Sequence, residues 1–128
     1  MYLLDTNVCI DFLKGKSSPL VPRMEAAFGQ MAISAVTFAE LAVGSRRSED
    51  PIGDTRRIDD FAAGLDVLAF DEQAGRAYGA VVRVVGVKRQ GLDRLIAAHA
   101  VARDLVLITN NERDFTDIPG LKVENWTL

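Results

Sequence analysis

Carboxylates stand at four points where predicted strands and helices begin or end, and they are the residues of this sequence best suited to chemistry. Asp5 directly follows the apolar run Tyr2-Leu3-Leu4. Glu40 lies close to the inward-facing stripe of a predicted helix, Asp93 begins another helix, and Asp114 follows a predicted strand by a few residues. Carboxylates gathered at one edge of a sheet would bind hard divalent cations such as Mg²⁺ or Mn²⁺.

Asp5 is the acid least easily explained by structure alone. A strand that is apolar throughout is usually buried on both faces, as in a parallel sheet. In open α/β sheets the ligand crevice lies outside the carboxyl ends of the strands, where Asp5 would sit. A buried carboxylate needs a partner, and the apolar segments contain no lysine or arginine to supply one.

The other three acids each have a plain structural interpretation beside the chemical one. Asp93 could be a favourable charge at a helix N-terminus. Glu40 could pair with Arg46 or Arg47, or reach solvent. Asp114 could be an ordinary cap. Taken one at a time, these residues would not establish a site.

Taken together, the acids point to a metal. Two carboxylates about 4 Å apart repel by roughly 4 kcal/mol at an effective dielectric constant near 20. A pocket of three or four acids therefore stays ionised at neutral pH only if a cation joins them. Such a cation can bind a phosphodiester oxygen and activate a water. The acids thus predict metal-assisted phosphodiester hydrolysis, provided that they converge.

The elements that must position these residues alternate between strand and helix. This alternation predicts an α/β sandwich around a mainly parallel sheet. Ser34 is expected to cap the helix that carries Glu40, and Gly44 to end it. The predicted strands cover residues 2–4, 31–33, 67–70, 105–108 and 123–126, and the predicted helices cover 8–14, 22–28, 35–43, 55–63, 72–87 and 93–103.

Composition limits the function classes. A length of 128 residues predicts one domain, residues 1–128. The net charge of −3, from 15 basic and 18 acidic residues, argues against binding a polyanion by bulk attraction. The single cysteine excludes an intrachain disulfide, which fits a reducing cytoplasm. No apolar run approaches the length of a membrane span, and no secretion signal precedes the first strand. We therefore expect a cytoplasmic protein without membrane contact.

Local basic groups could still contact phosphates. We favour Arg46 and Arg47, which follow the Glu40 helix, and Arg94, which adjoins Asp93. A solvated surface is the commoner role of such residues. The remaining basic candidates are Arg56, Arg57, Lys88 and Arg89.

Three further residues are expected to be structural. Cys9 is interpreted as a small buried hydrophobic residue. Trp126 is expected to pack at a sheet edge rather than stack on a base. His99 is expected to be a helix residue that the chemistry does not need.

The ordered motifs resemble those of PIN-domain ribonucleases, and the short single-domain form resembles the VapC toxins of bacterial toxin–antitoxin pairs. The resemblance covers essentially the whole chain. It implies a PIN-like three-layer α/β/α sandwich with a mainly parallel central sheet. The motifs are Leu4-Asp5-Thr6-Asn7, residues 34–41 with Gly44, Asp93 leading residues 95–100, and residues 107–111 with Asp114-Phe115.

The resemblance also assigns roles to residues. Asp5, Glu40, Asp93 and Asp114 fall on the acidic metal-binding quartet of the family. Supporting polar positions near the quartet match Thr6 and Thr109, and Asn7 matches the asparagine of the opening motif.

The implied function is that of a toxin: a Mg²⁺- or Mn²⁺-dependent endoribonuclease that cuts RNA with a metal-activated water and leaves a 5′-phosphate and a 3′-hydroxyl. The implied partners are the RNA substrate and a VapB-type antitoxin whose C-terminal segment covers the site. A homodimer is implied, with a heterotetramer or larger assembly when the antitoxin is bound. Operator DNA would be bound indirectly, through the antitoxin.

One departure and three alternatives stay open at this point. The connection from Lys88 to Asp93 is shorter than the loop usual in the family, through either a deletion or missing flexible residues, and we expect the latter. The alternatives are a housekeeping RNA-processing nuclease, a receiver domain that accepts phosphate on an aspartate, and a non-catalytic binding module. A receiver domain generally needs a lysine at a late strand end, where residues 107–110 offer none. The sequence does not indicate which RNA is cut.

Overall fold

The computed structural model describes residues 1–86 and 92–128, and within them strands alternate with helices as expected. The predicted basic turn at residues 88–91, and with it the short connection before Asp93, lies outside the described residues. The strands are β1 (Tyr2–Leu4), β2 (Met31–Ser34), β3 (Asp66–Leu68), β4 (Val106–Ile108) and β5 (Val123–Glu124). The helices are α1 (Thr6–Lys14), α2 (Leu20–Ala26), α3 (Ala35–Arg46), α4 (Pro51–Ala63), α5 (Glu72–Val85) and α6 (Asp93–Ala102), with a 3₁₀ helix at Glu112–Phe115.

The strands form one sheet in the order β3-β2-β1-β4-β5, and every neighbouring pair is parallel. The expectation of a mainly parallel α/β sheet is therefore confirmed. β1 lies at the centre, with Leu3 opposite Ala32 of β2 and Leu107 of β4. All five carboxyl ends thus point the same way, and residues that follow the central strands meet at one edge.

Consecutive residues of the central strands enter opposite hydrophobic cores. Leu3 and Leu107 pack on one face of the sheet with Ile96 of α6. Leu4 and Ile108 pack on the other face with residues of α1, α2 and α4. Because side chains alternate along a strand, apolar residues in every position require helices on both sides. This requirement explains the layered sandwich around β1.

Helix α3 ends later than predicted. Gly44 was expected to stop it, but the helix continues to Arg46. A glycine inside a helix costs only about 1 kcal/mol relative to alanine. Buried Ser45 offsets that cost, because its hydroxyl bonds the Ala42 carbonyl and lies 3.2 Å from the Thr55 hydroxyl of α4.

Helix α4 begins earlier than predicted, at Pro51 rather than residue 55. The Asp50 side chain caps it by accepting from the Gly53 N–H, and proline is well suited to the first helical position. The N-cap assigned to Ser34 is confirmed, since its hydroxyl accepts from the Val36 N–H at 3.1 Å.

Of the three residues expected to be structural, His99 lies in helix α6 as expected, and the expectations for Trp126 and Cys9 are confirmed. β5 is shorter than predicted, but buried Trp126 packs edge-on against Tyr2 of β1, with ring centroids 4.9 Å apart. Cys9 is fully buried in the core, and burial raises the pKa of its thiol. None of the helices in the described residues is long and apolar enough to cross a membrane.

Candidate active site at the carboxyl edge of the sheet

The ends of the two central strands place Asp5 beside Thr109. Leu4 pairs with Ile108, and the Asp5 N–H donates to the Ile108 carbonyl at 2.9 Å. The residues that follow, Asp5 and Thr109, therefore leave neighbouring strands at the same level. This is the edge of an α/β sheet where ligands bind.

Asp5 is held from both sides. Its side chain caps α1, with one carboxylate oxygen accepting from the Thr6 N–H at 2.8 Å. The other oxygen accepts from the Thr109 hydroxyl at 2.9 Å. Only 1% of Asp5 is exposed. The two bonds fix the buried carboxylate at the carboxyl end of β1.

The surroundings of Asp5 disfavour its charge. Burial raises its pKa from 3.8 to about 6, and the nearby charges of Asp93 and Glu40 add to this, while the bonds from Thr109 and Thr6 oppose it. Among the described residues, neither Asp5 nor Glu40 forms an ion pair with a basic side chain. Asp5 is therefore a buried acid that no basic side chain of the described residues neutralises.

Glu40 reaches the site through a threonine. The Thr6 hydroxyl donates to the Glu40 carboxylate at 2.8 Å, and the Thr37 hydroxyl lies 3.2 Å from that of Thr6. A hydroxyl has one proton to donate, so Thr37 is the donor in the second bond. Thr37 is fully buried on α3, one turn before Glu40. Thr6, the residue after Asp5, therefore holds the Glu40 side chain of α3 near Asp5.

Asp114 is joined to Asp5 by a longer chain of hydrogen bonds. The Asn111 side-chain amide donates to the Asp114 carboxylate, and the Asn111 N–H donates to the Thr109 hydroxyl at 3.0 Å. The Thr109 hydroxyl in turn donates to Asp5. Asp114 lies in the 3₁₀ helix and is half-buried.

Asp93 opens α6 and is half-buried, and its charge acts on Asp5. The next residue, Arg94, is largely committed inside the protein: its guanidinium donates to the Gly86 carbonyl at 3.1 Å and lies 3.7 Å from Asp117. Arg46 and Arg47 are exposed at the end of α3, and Asn7 is exposed in the first turn of α1.

The structure thus places Glu40 and Asp93 within electrostatic reach of Asp5, and connects Asp114 to Asp5 by hydrogen bonds. In residues 1–86 and 92–128, however, no three acidic, histidine or thiol side chains are close enough to enclose one ion. Like charges repel, which favours such a spacing between acids. The donor set fits a divalent cation, because carboxylate oxygens are its preferred ligands and a cation would relieve the raised pKa of Asp5.

Two supporting residues were missed by sequence reasoning. Thr37 precedes Glu40 by three positions, a spacing that places both on one helix face, so the pattern could have revealed it. Asn111 was recognised only as part of a motif. Its bond to Asp114 depends on the turn after β4, which has no periodic signal.

Comparison with known proteins gives this arrangement a family. Residues 2–121 match the model of the PIN domain. The chain is 36% identical over 131 residues to the tRNA(fMet)-specific endonuclease VapC of Shigella flexneri, an alignment that covers 98% of each chain.

Solved structures agree. A chain in DNA-bound VapBC of Salmonella typhimurium is 35% identical, with a TM-score of 0.90 over 98% of this chain and 97% of that one. A chain of VapBC2 of Rickettsia felis, bound to a promoter DNA fragment, is 30% identical with a TM-score of 0.88 over 98% of each chain. The motifs and the parallel sheet agree with these likenesses, and the chain belongs to the PIN-domain family as a member of the VapC ribonucleases.

Proposed function

We propose that this chain is the toxin of a toxin–antitoxin pair, an endoribonuclease that cleaves RNA phosphodiesters with Mg²⁺ or Mn²⁺ and thereby inhibits translation and growth. The observation that carries the proposal is the state of Asp5. It is a buried carboxylate at the end of the central strand, with its pKa raised by burial and by Asp93 and Glu40. An acid in such surroundings is suited to hold a cation.

The residues that would hold the metal are Asp5, Glu40, Asp93 and Asp114. A bound divalent ion supplies polarisation of a phosphodiester oxygen and lowers the pKa of a water. Thr109 and the Thr6 backbone orient the carboxylate of Asp5, and the Thr6 hydroxyl orients that of Glu40. The protein thus keeps its oxygen ligands in place before RNA binds, as effective catalysis requires.

The proposed metal ligands Asp5, Glu40, Asp93 and Asp114 are here called the acidic edge. Outside it, RNA contacts are proposed for Arg46 and Arg47. Both are exposed, and both follow the helix that carries Glu40. Arg94 contributes less in this proposal, because its guanidinium already bonds within the protein. A few basic side chains suffice to position a phosphate backbone in an otherwise acidic protein.

The proposed substrate class is tRNA. The Shigella and Salmonella relatives are named tRNA(fMet)-specific endonucleases, at 36% and 35% identity over nearly the whole chain. Other relatives are named only as ribonucleases. Proteins often select RNA by shape and by unstacked single-stranded bases, so a folded tRNA loop is the substrate we propose to test first.

The proposed partner is a VapB-type antitoxin that covers the active site. The solved relatives are VapBC complexes, some of them bound to DNA. We propose that this chain likewise forms a homodimer that assembles with its antitoxin, contacts operator DNA only through it, and acts in the cytoplasm.

Cleavage assays test the enzymatic part of the proposal. The purified chain is incubated with initiator tRNA, an elongator tRNA and an unstructured RNA, with Mn²⁺, with Mg²⁺ or with excess EDTA. We expect metal-dependent cleavage of initiator tRNA and none in EDTA. Undiminished cleavage in EDTA would refute the metal, and equal cleavage of all three RNAs would refute the tRNA preference.

Expression in a bacterial host tests the toxin part. Induction of the chain alone is expected to arrest growth, and co-expression of the antitoxin is expected to restore it. Normal growth with active chain present would point instead to a housekeeping role.

A further inference from the structure

His99 forms a buried contact that the chemistry of the acidic edge does not explain. It is the only histidine of the sequence and is fully buried in α6. Its Nδ1 lies 2.8 Å from the hydroxyl oxygen of Ser34, a residue 65 positions away in the chain. Phe70 packs edge-on against the ring, with centroids 5.4 Å apart. The imidazole is thus fixed by two segments other than its own helix.

The state of the ring is that of a neutral hydrogen-bonding group. Burial lowers the pKa of His99, and the positive charge of Arg103 adds to this while Asp71 opposes it. Nε2 is buried and lacks a well-formed hydrogen bond among the described residues, although the Ala69 backbone is near enough to favour the protonated ring slightly. The bond to Ser34 is therefore the main polar contact of the side chain.

Ser34 occupies a decisive place in the fold. It ends β2 at the carboxyl edge of the sheet, and its hydroxyl caps α3 by accepting from the Val36 N–H. A hydroxyl can accept one bond and still donate its own proton, so Ser34 can cap α3 and donate to neutral Nδ1 together. One oxygen thereby joins the start of α3 to the middle of α6.

Each of the two joined helices carries one proposed metal ligand, and both ligands lie the same number of residues from the Ser34–His99 contact. Glu40 lies six residues after Ser34, and Asp93 lies six residues before His99. At 1.5 Å per residue, each carboxylate is about 9 Å along its helix axis from the contact. A tilt of about 10° between the helices would move either carboxylate by roughly 1.5 Å over that length. Distances between a metal and its ligands vary by only about 0.2 Å.

We infer that His99 is a positioning residue, which fixes Glu40 and Asp93 relative to each other by bonding the cap of one acid-bearing helix to the body of the other. The inference rests on the proposed metal-dependent function. His99 touches neither substrate nor metal in this role. Losing the bond to Ser34 would let the angle between α3 and α6 vary. This would weaken metal binding more than it would destabilise the fold.

The test measures Mn²⁺ binding to the RNA-free protein by calorimetry, together with cleavage kinetics and the melting temperature. His99→Leu keeps the bulk but removes the bond, and His99→Asn keeps a polar group near the position of Nδ1. We expect His99→Leu to weaken Mn²⁺ binding about tenfold, which is a common effect of losing a residue that supports metal ligands. His99→Asn should recover most of the affinity.

Val81→Ala is the matched control for stability. Val81 is buried in the same core as α6 but makes no part of the Ser34 contact. We expect it to lower the melting temperature while leaving Mn²⁺ affinity unchanged. If His99→Leu lowers the melting temperature but not Mn²⁺ affinity, as Val81→Ala should, His99 is only a core residue and the inference is refuted.

Ser34→Ala approaches the bond from its other end and serves if His99→Leu does not fold. Both single changes remove the same Ser34–His99 bond, and Ser34→Ala also removes the cap of α3. The double variant should therefore bind Mn²⁺ no more weakly than the single variant with the lower affinity. Fully additive losses would refute the inference. Failure of the unaltered protein to bind Mn²⁺ or cleave RNA would instead refute the proposed function, which separates the two outcomes.

Discussion

Asp5 and Asp114 lie at the two ends of one hydrogen-bond chain, and they are held in very different ways. Asp5 follows a buried parallel strand, caps a helix and accepts from two donors fixed by neighbouring elements. Asp114 lies in a short 3₁₀ helix, half-buried, and accepts from the exposed side chain of Asn111. The sheet thus fixes Asp5 rigidly, while water competes for the exposed bond between Asn111 and Asp114. We expect function to be most sensitive at Asp5 and to become less so toward Asp114.

Neutralising the two acids is expected to give the largest difference. Asp5→Asn should lower kcat/KM for RNA by on the order of 10³-fold or more, and Asp114→Asn by about tenfold, because only the first removes a buried ligand held on rigid elements. Asp104→Asn, at an exposed acid paired with Lys122, is the control and should have no effect. An equal or greater loss at Asp114 would reverse the comparison.

Removing the charge of Asp5 should also stabilise the metal-free protein at neutral pH. Its pKa is about 6 in the folded protein against 3.8 for the ordinary group, so the folded state binds the proton more tightly. Ionised Asp5 therefore lowers the free energy of unfolding by up to about 3 kcal/mol, and this loss disappears as the pH falls from about 7 through 6 toward 4. Asparagine avoids the charge, still caps α1 and gives up about one hydrogen bond, worth about 1 kcal/mol.

Urea unfolding in EDTA measures this effect as the difference between Asp5→Asn and the unaltered chain, so that other carboxylates cancel. The variant should be more stable by about 2 kcal/mol near pH 7, and this advantage should be gone near pH 4. Saturating Mn²⁺ should shrink it by stabilising only the unaltered chain. A variant less stable than the unaltered chain at neutral pH would show that burial does not destabilise the ionised acid.

Thr109 tests the middle of the hydrogen-bond chain. Thr109→Val keeps the shape but removes both the donor to Asp5 and the acceptor for the Asn111 N–H. Mn²⁺ affinity should fall about 10- to 100-fold, the range seen when supporting groups of metal ligands are lost. Thr116→Val removes an exposed hydroxyl that donates to the Arg113 carbonyl and is the matched control. Similar affinities for the two variants would mean that Thr109 does not orient Asp5.

Asn111 tests the exposed end and should give the smallest effect. Asn111→Ala removes the amide donor to Asp114, and a solvent-exposed bond contributes only about 0.5 kcal/mol, or two- to threefold in kcat/KM. Asn125→Ala removes a comparable donor to Glu112 and should leave cleavage unchanged. A loss as large as that of Thr109→Val would show that Asp114 is held as tightly as Asp5.

Much of the architecture could be predicted because burial leaves a periodic signal. Fully apolar strands indicated a parallel sheet covered on both faces, and Ser34 was recognised as a helix cap. Glycine was less informative: Gly15 ends α1 in a left-handed conformation, whereas Gly44 lies inside α3. Helix ends depend on packing against α4, which local sequence does not encode.

The sequence by itself determined that Asp5 ends a buried strand and that no nearby apolar segment supplies a basic side chain to pair with it. It also showed that the motifs resemble those of a ribonuclease family and that residues 107–110 lack the lysine of a phosphate-accepting receiver. Those features are local, since they follow from residue types and periodicity along a few positions. The tertiary structure decided which groups meet at that edge. Strand order brings Thr109 to Asp5 across 104 positions, α3 turns Glu40 toward Thr6, and α6 brings His99 to Ser34. Such contacts depend on how sheet and helices pack, and packing joins residues whose separation in the sequence carries no periodic signal.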